Sequence, residues 1–420
     1  MKLIEFLASL ATDTGLMSAF RKSPQATLNS ACLSEEDQRL LLEGNPLSIR
    51  QAVFAERTMT PTGGGEKPMF FPPPGQEPPS PPPGQEPQPP GEKPMFFPPP
   101  AKPDEEPMFF PPPKQSATGC DVESLHVEPL DLDLDLSQDS LLTGLSSSRA
   151  VDQDPSGVWS ARGLTVVGTG MRAGLHMTVE TQLAIEQTAR VLYIVADPIS
   201  EACILKLNPA AKSLRYLYET GKPRIEIYES IIAAILDELE SAGDLCVAFY
   251  GHPGVLTYPA WESIRRARAT GKRARMLPAI STEDALFADL GIDMGRAGLQ
   301  SFEATRFLFN AYNFDPCAGL LLWQIGVLGE YEWNPPHAAA RPRLEVLTAY
   351  LTKFYGPDHE VFLYHAPDLP TSRPLVERVA LRDLPTAELI SISTLYIPPR
   401  GQPQRNEENI QALARMELRK

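Results

Sequence analysis

The 420 residues carry 53 acidic against 38 basic side chains, a formal charge of −15, so most of this surface would repel a phosphate backbone and nucleic acid is not an expected partner. Cys32, Cys120, Cys203, Cys246 and Cys317 are scattered and never form a CxxC pair, and the six histidines include no HExxH pattern, which argues against a disulfide framework or a structural metal. Glu5 interrupts any signal-like apolar region, and the longest apolar run, 318–329, is too short to span a bilayer, so a soluble cytosolic protein with no membrane partner is expected.

Residues 1–57 read as a small all-α module of four short helices. Leu3, Ile4, Phe6, Leu7 and Leu10 recur at helical spacing, and Leu16, Met17 and Phe20 continue in a second helix. Ser34 followed by Asp37 forms a capping box, Gly44 supplies the left-handed stop, and Asn45-Pro46 opens the last helix. So small a core predicts docking on something larger. Residues 58–115 hold 22 of the 44 prolines, too many for helix or sheet, and a disordered, extended segment is expected. Within it Pro-Met-Phe-Phe-Pro-Pro-Pro occurs three times, at 68–74, 94–100 and 107–113. Three apolar side chains repeated in this way are a liability in a plain spacer, so something should bind them. Residues 116–160 read as an acidic linker in which 130–136 alternates Leu and Asp.

After Gly163 short apolar runs alternate with longer amphipathic stretches, which predicts an α/β domain with a mostly parallel sheet. Strands are expected at 164–167, 191–195, 245–250 and 275–277, with helices at about 178–189, 226–241, 258–270 and 282–290. A second α/β unit is expected over about 300–400, with strands at 320–324 and 360–364, and a terminal helix over 401–420. Gly168-Thr169-Gly170 and Tyr250-Gly251-His252-Pro253-Gly254 each follow a strand, where ligands collect in open α/β sheets; His252 is read mainly as a loop-shaping residue beside Pro253. Tyr216, Tyr218, Arg224 and Tyr228 place three phenols and a guanidinium within thirteen residues.

Together, Val166-Val167-Gly168-Thr169-Gly170, the Tyr218 to Tyr228 cluster, Phe249 to Val255, 273–284, 286–293 and 393–399 resemble the borosin (omphalotin-type) peptide backbone α-N-methyltransferases. The resemblance covers about 163–400, and the segment 33–50 is similar to the borosin-binding domain. In the familiar fused fungal proteins the enzyme comes first, whereas here the binding domain and candidate core precede it. The resemblance implies a tetrapyrrole methylase-like two-subdomain α/β enzyme over 161–400, S-adenosyl-L-methionine as cofactor, a homodimer, and self-modification of its own core peptide in cis or in trans. It implies Tyr218, Arg224, Tyr228 and, more weakly, Tyr216 as catalytic residues, with Tyr218 the base and Arg224 stabilising its phenolate. Gly168, Gly170, Tyr250, Gly251, His252, Pro253, Gly254, Val255, Ser281 and Gln324 are implied to bind the cofactor, without a metal. Proline has no N–H to alkylate, so the acceptors expected are Met69, Phe70, Phe71, Met95, Phe96, Phe97, Met108, Phe109 and Phe110. Two rival classes stay open: a tetrapyrrole-type or small-molecule methyltransferase with an unrelated proline-rich fusion, and an inactive proline-rich scaffold.

Overall fold

A computed structural model describes residues 1–58, 162–195, 197–310, 312–335 and 341–417. The repeats, the acceptor residues within them and the acidic linker therefore lie outside the described residues. The chain divides into two units, 1–73 with 125–403 and 74–124 with 404–420. Of the second unit only one helix, Glu407–Glu417, is described.

The N-terminal module contains five helices, α1 (Leu3–Thr12), α2 (Thr14–Lys22), α3 (Pro24–Ser30), α4 (Glu35–Glu43) and α5 (Pro46–Thr58), one more than its sequence suggests. The addition is α3, whose burial is confined to Thr27 and Leu28, too little for a visible period. The expected caps are present: Ser34 accepts from the Asp37 N–H at 3.1 Å and Gly44 sits at φ 68°. The Glu56 carboxylate accepts from the N–H groups of Leu3 and Ile4, at 3.1 and 2.9 Å, so α5 caps the start of α1. Phe6, Leu7, Leu10, Leu28, Ile49 and Val53 are buried, and their cluster extends onto Ala173, Ile199, Cys203 and Leu369 of the α/β region. The module thus shares one core with the α/β region, and sharing it supplies the burial that its small size lacks.

The first sheet is parallel, in the order β3-β2-β4-β1-β5, from β1 (Leu164–Gly168), β2 (Val191–Ile194), β3 (Lys212–Ser213), β4 (Leu245–Phe249) and β5 (Ala274–Met276). Its central strands are buried throughout because helices cover both faces. Val166, Leu192 and Val247 pack on α8 (Arg224–Ala242) and α9 (Tyr258–Ala269). Val167, Tyr193 and Ala248 turn the other way, onto α6 (Val179–Gln187) and α7 (Pro198–Leu207). The chain leaves β1 towards β2 over one face and leaves β4 towards β5 over the other, so the carboxyl ends of β1 and β4 form a topological switch point.

The second sheet is mixed, β6-β7-β10-β8-β9, built from β6 (Leu299–Glu303), β7 (Gly319–Trp323), β8 (Glu360–His365), β9 (Leu375–Ala380) and β10 (Thr394–Ile397). Only β6 and β7 pair in parallel. Met171 and Tyr250, from the loops after β1 and β4, share an apolar cluster with Leu321, Trp323, Tyr364 and Tyr396 of this sheet. The ligand end of the first sheet is thereby closed by the second.

Phe6 is fully buried and meets Phe20 edge-on at 6.2 Å between ring centres. Phe6→Ala is expected to lower unfolding free energy by about 3–5 kcal/mol, read as a fall in the urea midpoint.

Candidate active site

Three glycines hold the switch point together. The Gly170 N–H donates to the Gly251 carbonyl at 3.2 Å and the Gly251 N–H returns the bond at 3.1 Å. Gly168 lies beneath, where a Cβ would stand 2.2 Å from the Gly251 oxygen and 2.6 Å from Pro253 Cδ. Gly170 and Gly251 both have φ near +70°, which favours glycine. Further amides of this region are also spent internally: Thr169 donates to the Phe249 carbonyl, Tyr250 to Ile194 and Val255 to His252. His252 Nδ1 accepts from the Gly254 N–H at 2.9 Å, leaving the proton on Nε2, and the Trp261 indole donates to the Gly254 carbonyl at 3.0 Å. These loops therefore do not form an amide cradle for phosphate. They meet a ligand through side chains and the second lone pairs of carbonyls that each already accept one internal bond, which suits a group rich in donors.

Of the other implied cofactor residues, Val255 is exposed at the loop tip. Ser281 caps α10 (Thr282–Leu290), with its N–H and hydroxyl each 2.7 Å from Asp284, so its hydroxyl has a structural use. Thr282 beside it donates to Met171 Sδ at 3.3 Å and ties α10 to the glycine loop. Gln324 follows β7 in the left-handed region at φ 60°, opening the 3-10 turn Ile325–Val327.

The phenol cluster is assembled from three places. Arg224 and Tyr228 lie one turn apart on α8 and share a face. Tyr218 ends the 3-10 turn Arg215–Leu217, and Tyr216 on that turn is 60% exposed while Arg215 is buried. The third contributor was not legible beforehand. Residues 331–333 zip onto 221–224 through Gly221 N–H to the Trp333 carbonyl, Trp333 N–H to Lys222 and Arg224 N–H to Tyr331, at 2.8–2.9 Å. This places the Trp333 ring 4.8 Å from the Tyr218 ring and 5.5 Å below the Arg224 guanidinium. Glu330 lies 3.8 Å from Arg224 and 3.6 Å from Arg343. Arg224 therefore pairs across the fold with Glu330.

Burial pushes the Tyr218 phenol above the usual range, Tyr228 adds to the rise, and Arg224 only partly offsets it. At Tyr218 desolvation thus outweighs the guanidinium.

Beside the Gly251 loop lies a buried ionic nest. Arg50 of α5 pairs with Asp368 at the end of the second sheet. Asp197, 5% exposed, caps α7 by accepting from the Ser200 N–H at 2.7 Å, and burial raises its carboxyl to about 6. Asp368 pushes the same way, while the Ser200 bonds and Arg50 pull it down. His365 binds the Ser393 hydroxyl at 2.8 Å; burial, with Arg50 adding, lowers it to about 4. A separate groove of about 560 Å³ between α3 and α4 is lined by Gln25, Asn29, Gln38 and Arg39 and belongs to the module's surface, not to this site.

Residues 163–313 match the family model of the Tetrapyrrole (Corrin/Porphyrin) Methylases. The chain is 36% identical over 262 residues to the methyltransferase/ribosomally synthesized cyclic peptide gymnopeptides precursor of Gymnopus fusipes, covering 61% of each. It is 35% identical over 262 residues to the corresponding omphalotin A precursor of Omphalotus olearius, covering 61% of this chain and 62% of that one. The chain thus spans about three fifths of the length of these curated relatives. A solved uroporphyrin-III C-methyl transferase from Thermus thermophilus, complexed with S-adenyl homocysteine, is similar at 14% identity with a TM-score of 0.41, over 57% of this chain and 92% of that one. The fold class is tetrapyrrole methylase-like α/β, as expected, and the resemblance to borosin methyltransferases extends over about 60% of the chain.

Asp197 gives the site a pH signature. Its carboxyl is raised from 3.8 to about 6, so the folded state holds this proton more tightly. That contribution is complete below about pH 4 and lost as pH rises through about 6, and two units correspond to about 3 kcal/mol. Asp197→Asn, which keeps the cap, should gain up to about 3 kcal/mol on the parent between pH 4 and 7, measured by denaturation across that range.

Proposed function

We propose that the chain is an S-adenosyl-L-methionine-dependent methyltransferase that alkylates backbone amide nitrogens of its own proline-rich segment. The observation that carries this reading is the meeting of Tyr218, Arg224 and Trp333 beside Tyr228, at the same end of the first sheet as the glycine loops. The named relatives, which join a methyltransferase to a cyclic peptide precursor, support it. Bound S-adenosyl-L-methionine supplies an electrophilic methyl group on a cationic sulfur. Gly168, Gly170, Gly251 and the Tyr250 to Val255 loop would hold it, since at Gly251 an added Cβ would meet only Met171 Sδ, at 3.4 Å, and a ligand can approach the backbone closely there.

An amide nitrogen is a poor nucleophile because its lone pair is delocalised into the carbonyl. It must lose its proton while negative charge gathers on the oxygen. Tyr218, kept protonated by burial, donates to that oxygen, and Arg224, held by Glu330 and Trp333, supplies the countercharge. Tyr228, on the face of α8 that carries Arg224, relays the amide proton to solvent, taking it up while its own hydroxyl proton passes to water. Prolines in each repeat leave Met69, Phe70, Phe71, Met95, Phe96, Phe97, Met108, Phe109 and Phe110 as the alkylatable positions. Fusion raises the local concentration of this weak substrate to about millimolar. In this reading the protein acts in the cytosol as a homodimer, with the segment offered in cis or by the partner.

Mass spectrometry of residues 58–115 after expression should show increments of about 14 Da on those Met and Phe residues; an unmodified segment in protein that binds the cofactor would refute the assignment. Arg224→Lys should slow alkylation at least about a hundredfold, since a point charge cannot keep both the stack and the ion pair. Tyr228→Phe and Tyr218→Phe should each lower the alkylation rate, followed by mass spectrometry of the segment, with S-adenosylhomocysteine affinity unchanged.

A further inference from the structure

We propose that Arg50 is a positioning residue for the glycine loop of the candidate cofactor site, so that the N-terminal helices are a working part of the enzyme as well as a carrier of its peptide. The cofactor arm of this inference rests on the proposed function, and the positional arm does not.

The loop from Gly168 to Thr178 is held on three sides. Gly170 is bridged to Gly251. The Ala173 N–H donates to the Asp368 carbonyl at 2.8 Å, and Arg172 Nη2 donates to the Ser372 carbonyl at 3.4 Å. On the third side Gly174, at φ +70°, lies against α1, where a Cβ would stand 2.6 Å from Ala11 Cβ and 2.8 Å from the Ala11 oxygen. The N-terminal module thus touches the glycine loop directly. It also touches it through Asp368, whose carbonyl holds the loop while its carboxylate is bonded by Arg50.

That pair is enclosed, with side-chain exposures of 17% for Arg50 and 7% for Asp368. Asp197 and the Tyr250 phenol lie within electrostatic reach of Arg50, so Arg50 is the cation facing two buried carboxylates beside the Gly251 loop. Without it, Asp368 would stay buried near Asp197 with no paired cation, Arg172 acting on it only through space, and segment 366–372 would shift to hydrate it. Ala173 and the glycine loop would shift in turn.

Hydrogen exchange by mass spectrometry on the full chain tests this directly, alongside calorimetric titration with S-adenosylhomocysteine. In Arg50→Met, exchange in 169–178 and 366–372 should rise about tenfold or more, with α1 and the first-sheet strands unchanged, and affinity should fall by about tenfold. Arg50→Lys should keep most of the protection, and Arg50→Met combined with Asp368→Asn should recover it, because the unbalanced carboxylate is gone. Unchanged exchange in 169–178, a rise spread over the whole chain, or no recovery in the double variant would each overturn the inference. A parent that binds no S-adenosylhomocysteine would sink the cofactor reading, while the exchange arm would still decide the role of Arg50.

Discussion

Everything at the candidate site depends on two backbone segments meeting at the ends of β1 and β4. The reciprocal Gly170–Gly251 bonds, with Gly168 beneath them, allow no side chain in between. That contact closes the switch point, spends the nearby amides and sets the chemistry of whatever binds there. A phosphate would find few donors, while a donor-rich ligand meets carbonyls that each keep a second lone pair. The same bridge aims Met171 and Tyr250 at the second sheet, whose Leu321, Trp323 and Tyr364 close the other wall.

Low dielectric explains both the phenol cluster and the ionic nest. Arg224 is caught between the face of Trp333 and the carboxylate of Glu330, a setting that fixes the direction of its charge before any substrate arrives. Burial acts on Tyr218 and Asp197 alike, raising each, but the consequences differ. The phenol is disfavoured in its charged form, whereas the carboxylate becomes a cost that Arg50 offsets. The helical module therefore contributes charge compensation as well as apolar burial.

Sequence legibility followed the range of the interactions. The buried strands, the Ser34 cap and the Gly44 stop are local patterns, and the fold shows them where the pattern places them. Strand β9 was hidden because its middle residues, Glu377 and Arg378, are exposed and break any apolar run. Helix α3 was hidden because it buries only two residues. Trp333 lies more than a hundred residues from Tyr218, as Glu330 does from Arg224, and Arg50 reaches Asp368 across 318 positions. No local spacing reports such pairs. The alternation of acids and aromatics in Glu330-Tyr331-Glu332-Trp333 was the one available hint, since it fits an extended segment with a partner on each side. Ser281, which the resemblance places at the cofactor, also uses its hydroxyl to open a helix, a local pattern readable from Ser281 and Asp284.

The central claim concerns where the methyl donor lies relative to the phenols. A crystal structure of the full chain with S-adenosylhomocysteine tests it most directly. The account predicts the thioether sulfur between the Gly170 and Gly251 loops, facing the Tyr218–Arg224 pair. Density for the molecule elsewhere, or a sulfur turned away from those side chains, would contradict it.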